Sequence, residues 1–181
     1  MHRRNLLSAI DDYALRYPEE IGVVQRFRVL LENHSDCFER DCWSGHITGS
    51  AWLVSPDQQH VLLTHHRKLN MWLQLGGHSD GDSKTDAVAV REATEESGLS
   101  VQLPQKNIFD LDVHEIPARK NDPAHYHFDV RYQLKATDEK FRISEESLDL
   151  AWVKIDELER YTEEESILRM RRKWYESNNR E

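Results

Sequence analysis

The chain has 181 residues, of which 38% are hydrophobic, 31% charged and 9% aromatic, and it carries a net charge of −9. This is the make-up of a folded domain with room for a proper core, not of a disordered segment. The acidic balance argues against a general nucleic-acid or anionic-membrane binder. It leaves room for a small phosphorylated ligand, because a bound divalent cation reverses the local sign.

From the N-terminus, apolar spacing predicts helices over residues 3–16 and 19–33, with Pro18 suited to the first turn of the second. Asp11 and Asp12 interrupt the opening segment too early for a signal-peptide core, and no apolar run approaches the ~20 residues that span a bilayer. Residues 34–46 read as an irregular link. They hold both cysteines, Cys37 and Cys42, which with no second pair are expected to be reduced structural thiols in a cytoplasmic protein.

Residues 47–54 and 60–65 then read as strands joined by a turn, and "MWLQL" (71–75) as a further short strand stopped by Gly76-Gly77. A helix is predicted from Thr85 to Ser97, with Ser83 as its cap, Asp86 near the positive end of its dipole and Gly98 as its left-handed stop. Strand-like stretches follow near 108–116, 124–135 and 148–154. "IDELERY" and "EEESILRMRRKWYE" close the chain as helices, with basic residues gathered toward the last C-terminus. Strands with helices at both ends of the chain imply an α/β or α+β sandwich.

The helix at 85–97 poses the chemical question. At about 100° per residue, Glu92, Glu95 and Glu96 share one flank, and Ala87, Val90, Ala93, Thr94 and Ser97 form a small-residue side for packing on a sheet. Like charges at these spacings cost an isolated helix ~0.2–0.5 kcal/mol per pair. A solvated acidic face is one explanation; a cation is the other, and three hard carboxylate donors suit Mg²⁺ or Mn²⁺, which bridge to substrate phosphates. Upstream, "LGGHSDGD" (75–82) has glycines that let backbone N–H groups approach an anion.

Together these segments run Gly77-x5-Ser83-x7-Arg91-Glu92-Ala93-x-Glu95-Glu96-x-Gly98-Leu99. The pattern resembles the signature of the Nudix hydrolase family, G-x5-E-x7-R-E-U-x-E-E-x-G-U with U aliphatic. The resemblance reaches from about residue 45 to about 160 and implies an α/β/α sandwich with a mixed sheet. A helical lead-in of residues 1–40 precedes it, and the hydrolase domain would occupy 41–181. The lead-in is a candidate for shaping the substrate pocket or for a homodimer contact.

The resemblance implies hydrolysis of a nucleoside diphosphate linked to another group. Glu92, Glu95 and Glu96 would hold Mg²⁺ or Mn²⁺, Arg91 would complete the catalytic set, and Glu95 or Glu96 is a candidate base. Glu115, Asp129, Glu145 and Glu146 are candidates for a base or ligand outside the signature. One position departs from it: Ser83 stands where the family has a glutamate thought to hold the arginine, so Asp82 or Asp80 is expected to hold Arg91 instead.

The histidines add to this set. "HYHFDV" (125–130) places His125, His127 and Asp129 on one strand face, and His78 follows the glycines. With His65 and His66 they are candidates for phosphate contact or a second metal, or are polar residues of a half-exposed sheet. Gly77, His78, His127 and Asp129 are the preferred substrate contacts. The five tryptophans include candidates for base stacking, but most are expected in the core. Two other classes share the fold that the resemblance implies: a ligand sensor on an inactive domain, favoured by Ser83, and an isoprenoid diphosphate isomerase, which would need a cysteine near the site.

Overall fold

The computed structural model describes residues 2–67, 69–119, 122–144 and 147–178. Two strands form the centre of an eight-stranded mixed sheet. β1 (His46–Val54) runs parallel to β7 (His125–Ala136), in register from His46 opposite His127 to Val54 opposite Lys135. β2 (His60–His66) continues the sheet beside β1 and pairs antiparallel with β3 (Met71–Leu73) and β8 (Ser147–Lys154). β4 (Leu75–His78) lies antiparallel along the other stretch of β1, while β5 (Val101–Gln102) and β6 (Asp110–Ile116) pair with β7.

Every residue of β1 is buried, as expected for a strand covered on both faces. Its side chains alternate between two cores. Ile47, Ala51 and Leu53 join a cluster with α1 (Arg3–Arg16), α2 (Ile21–Asn33) and α3 (Thr85–Ser97). Trp52 and Val54 turn the other way, toward Ile167, Met170 and Trp174 of α4 (Glu165–Asn178). Helices therefore cover both faces of the mixed sheet. α1 and α2 share their core with β1 through Leu6, Ile10, Val24 and Phe27. No helix among the described residues is long and apolar enough to cross a membrane.

Three local readings need correction. The glycines after "MWLQL" do not stop a strand; the extended run breaks at Gln74, and Gly76 and Gly77 lie inside β4. A Cβ on Gly76 would come within 2.6 Å of the Ser50 Cβ, so only glycine lets β4 lie this close to β1. "IDELERY" forms a 3₁₀ helix, Ile155–Arg160. α4 runs to Asn178 with no basic residue in its last turn, so its arginines and Lys173 serve side-chain partners rather than the dipole.

α3 ends where expected, at Gly98 with φ 69°, whose N–H donates to the Thr94 carbonyl. A Cβ there would meet Arg142 only at ordinary contact distance, 3.4 Å. The cost of Gly98→Ala is then the backbone's alone, and a loss of about 1–2 kcal/mol is expected in urea melts. A stability unchanged within error would show that the helix end can relax.

Candidate active site

The first turn of α3 is not capped by Ser83. The residue before the helix is Lys84, no side chain caps it, and Asp82 Oδ1 instead accepts from the Lys84 N–H in a local turn. The packing face also differs from the helical-wheel reading. Thr85, Val88, Ala89, Ala93, Glu96 and Ser97 are buried, whereas Ala87 and Thr94 face solvent. The rotation follows from Gly49, which lets the backbone at Thr85 and the Val88 side chain press on β1; a Cβ on Gly49 would lie 2.9 Å from both.

This rotation sets the three glutamates apart. Glu96 turns inward to 8% exposure and accepts the Gly76 N–H at 2.8 Å. Glu92 lies over Gly77, where a Cβ would fall 2.6 Å from its carboxyl carbon. Glu95 is exposed. Their oxygens do not all lie within 4.8 Å of one another; the described groups that do so are His46, His125 and His127, and His34, Asp36 and Cys42. Arg91 holds Glu92 in place: its Nη2 donates to Glu92 at 2.8 Å and to the His78 carbonyl at 2.7 Å.

Neither expected partner of Arg91 forms an ion pair with it. Asp80 pairs bidentately with Arg40, both contacts 2.6 Å, and Asp82 is used in the turn. Glu92, adjacent in sequence, takes the role. The loss of the signature's first glutamate at Ser83 thus leaves the arginine anchored to α3 and to β4. The donors fit a hard divalent cation in kind: three carboxylates on one helix, two of them beside a glycine cradle that a Cβ would fill. Gly77→Ala would push the Glu92 carboxylate, the end of a flexible side chain. We expect stability to change by less than about 1 kcal/mol and hydrolysis to fall about tenfold or more, read by thermal melting and steady-state rates. Equal rates would mean that Glu92 has no fixed position to lose.

On the α4 side of the sheet, β1, β4 and β7 bring histidines together. The His46 ring centroid lies 5.2 Å from that of His78, 4.9 Å from His125 and 4.8 Å from His127. His114 of β6 adds a ring 5.5 Å from His127. Burial first, then the neighbouring imidazoles, pushes the pKa of His127 down to about 2 and that of His46 to about 4, so both rings are neutral at pH 7. His65 and His66 do not join them; His65 stacks on Trp72 at 5.1 Å.

Asp129 sits beyond the histidines with its oxygens occupied. It accepts from Thr48 (2.9 Å), Ser50 (2.6 Å), Gln74 (3.1 Å) and Arg131 (2.7 Å). Glu115 is exposed and pairs with Tyr126, on the sheet face opposite His127. Glu145 and Glu146 lie outside the described residues. Trp52 and Trp174 are core, and the more exposed Trp43 edges onto His125. Cys37 and Cys42 are free and buried, and burial pushes the Cys37 thiol up to about 12.

His46 and His114 were not singled out from sequence. His46 owes its place to the parallel pairing of β1 with β7, which no local pattern reveals. The alternation Asp110, Asp112, His114 in "DLDVHE" could have marked a polar strand face.

The family model for the NUDIX domain matches residues 45–174, which carries the likeness into α4. Among solved structures, a NUDIX-family hydrolase from Clostridium perfringens shares 25% identity at a TM-score of 0.55, over 71% of this chain and 95% of its own. The MutT protein of Methanosarcina mazei (16%, TM-score 0.58, 74% and 95%) and the dihydroneopterin triphosphate pyrophosphohydrolase of E. coli (17%, TM-score 0.55, 69% and 91%) have the same fold. No curated protein sequence matches this chain. With its signature helix, its mixed sheet between helices and a family match over most of its length, the chain belongs to the Nudix hydrolase family.

Proposed function

We propose that this chain hydrolyses the phosphoanhydride bond of a nucleoside diphosphate linked to another group, with Mg²⁺ or Mn²⁺ held by Glu92, Glu95 and Glu96. The observation that carries the reading is the register of the signature on α3, with Glu92 and Glu96 set against the Gly76-Gly77 strand. When bound, the cation would neutralise diphosphate oxygens and lower the pKa of a bound water.

The chain's own residues do the positioning. The Gly76 N–H fixes one carboxylate oxygen of Glu96. Arg91 holds Glu92 and, through the His78 carbonyl, ties β4 to α3. In this reading Glu95, which is exposed, or Glu96 takes a proton from water. Gly77 and His78 are the substrate-facing residues of this reading. His127 belongs to the histidine cluster, and Asp129 with its four donors braces the strands. Residues 1–40 are taken as part of one folded unit with the hydrolase domain, since their apolar side chains share its core. The cytoplasm is the compartment this reading implies.

The test is product release from nucleotide sugars, dinucleotides and nucleoside triphosphates with Mg²⁺ or Mn²⁺. Metal-dependent turnover of at least one is expected. Tight binding of one with no turnover of any would favour a sensor instead.

A further inference from the structure

We propose that His46, His125 and His127 form a second metal site, for a borderline transition-metal ion of the zinc class, distinct from the glutamates of α3. Each offers a ring nitrogen, and the three nitrogens lie within 4.8 Å of one another. In a tetrahedral zinc site with Zn–N of about 2.0–2.1 Å the nitrogens stand about 3.4 Å apart. Small side-chain rotations close the difference.

Two further observations point to a ligand. His46 is 1% exposed, and neither of its ring nitrogens has a hydrogen-bond partner among the described residues. Buried polar atoms are rarely left so, because each unmet group costs about 1–3 kcal/mol. The Cys42 carbonyl lies near this ring and works weakly against its pKa shift, without a hydrogen bond of ordinary geometry. His125 is already oriented: its Nδ1 lies 2.8 Å from the Pro123 carbonyl, an acceptor only. Nδ1 therefore carries the proton, and Nε2 presents its lone pair. Metal-binding histidines are held this way, with the second nitrogen donating to a carbonyl.

The donor set selects the ion. Imidazole nitrogens suit Zn²⁺, Co²⁺, Ni²⁺ or Cu²⁺, whereas Mg²⁺ prefers oxygen. The His78 ring, 5.2 Å from that of His46 and 5.1 Å from that of His127, borders the fourth position. The same residue's carbonyl holds Arg91, so an ion here would brace β4 from the side opposite the glutamates.

The experiment uses the full chain, stripped with chelator and titrated with Co²⁺ in excess Mg²⁺, followed by calorimetry and visible absorption. We expect one Co²⁺ per chain, displaced by Zn²⁺, with intense bands of tetrahedral coordination and no sulfur charge-transfer band. His46→Ala and His127→Ala should each weaken binding at least a hundredfold, with folding checked by circular dichroism. His125→Gln tests the same site at the strand end if either variant fails to fold. Cys42→Ser and Glu96→Gln should bind Co²⁺ as the parent does. Binding that survives the histidine changes, that is lost with Cys42→Ser or Glu96→Gln, or that never reaches one ion per chain overturns the site.

Discussion

Glu96→Gln is expected to lower hydrolysis by about a thousandfold, close to 4 kcal/mol of transition-state stabilisation, while leaving the fold intact. The fold survives because a glutamine oxygen can still accept the Gly76 N–H and fills the same volume at this buried position. What disappears is the negative charge, and with it the attraction for a dication. Glu92→Gln should fall by a similar factor, with an added effect: it weakens the ion pair of Arg91 and so loosens the tie between α3 and the His78 carbonyl. Raising the Mn²⁺ concentration should recover part of the rate in both variants if weakened metal binding is the cause. Single-turnover rates with saturating metal, alongside thermal melts, separate the two contributions. A Glu96→Gln enzyme within a few-fold of the parent would remove this carboxylate from the chemistry.

How far the sequence foretold this site depends on the range of the interactions involved. α3 was legible because its signals are local: a left-handed glycine at 98, an acidic flank and a spacing that carries the family signature. α1 and the long strands were legible for the same reason, since periods of 3.6 and 2 are written in neighbouring residues. The orientation of α3 was not, because Gly49, far away in sequence, decides which side of the helix can press on β1. That one contact turns Glu96 inward and sends Ala87 out. The partner of Arg91 was misread on similar grounds: Asp80 looked available until Arg40, from the lead-in, claimed it. The histidine cluster is half legible. His125 and His127 show in the alternation of one strand, whereas His46 and His114 arrive through pairings that only the assembled sheet defines.

The largest stability effect is expected at Asp110, whose carboxylate is fully buried at the centre of a charge network. It accepts from Arg131 (3.1 Å), from Arg169 (2.9 and 2.8 Å) and from Lys173 (2.6 Å). Lys173 also reaches Glu20 at 2.7 Å and the Tyr13 hydroxyl at 2.5 Å, which fastens α4 to the lead-in. Asp110→Asn keeps the shape and deletes the charge, leaving Arg131, Arg169 and Lys173 with Asp112, Asp129 and Glu20. Removing one member of a buried pair costs about 3–5 kcal/mol, because the remaining charge stays desolvated. Urea unfolding should show this loss at pH 7; less than about 1 kcal/mol would mean that water reaches the network. The pH dependence gives an independent reading. Burial by itself would raise the Asp110 and Asp112 carboxyls, but hydrogen bonds and charge from their basic neighbours outweigh it and hold both below the usual range. The unfolded chain then binds more protons than the folded one, so this stability is complete above the unfolded carboxylate pKa of about 3.9 and drains away as pH falls below it. The parent should lose stability steeply from about pH 4 downward, and Asp110→Asn, already without one of these carboxylates, less steeply. Parallel slopes in the two proteins would place the origin of acid unfolding outside this network.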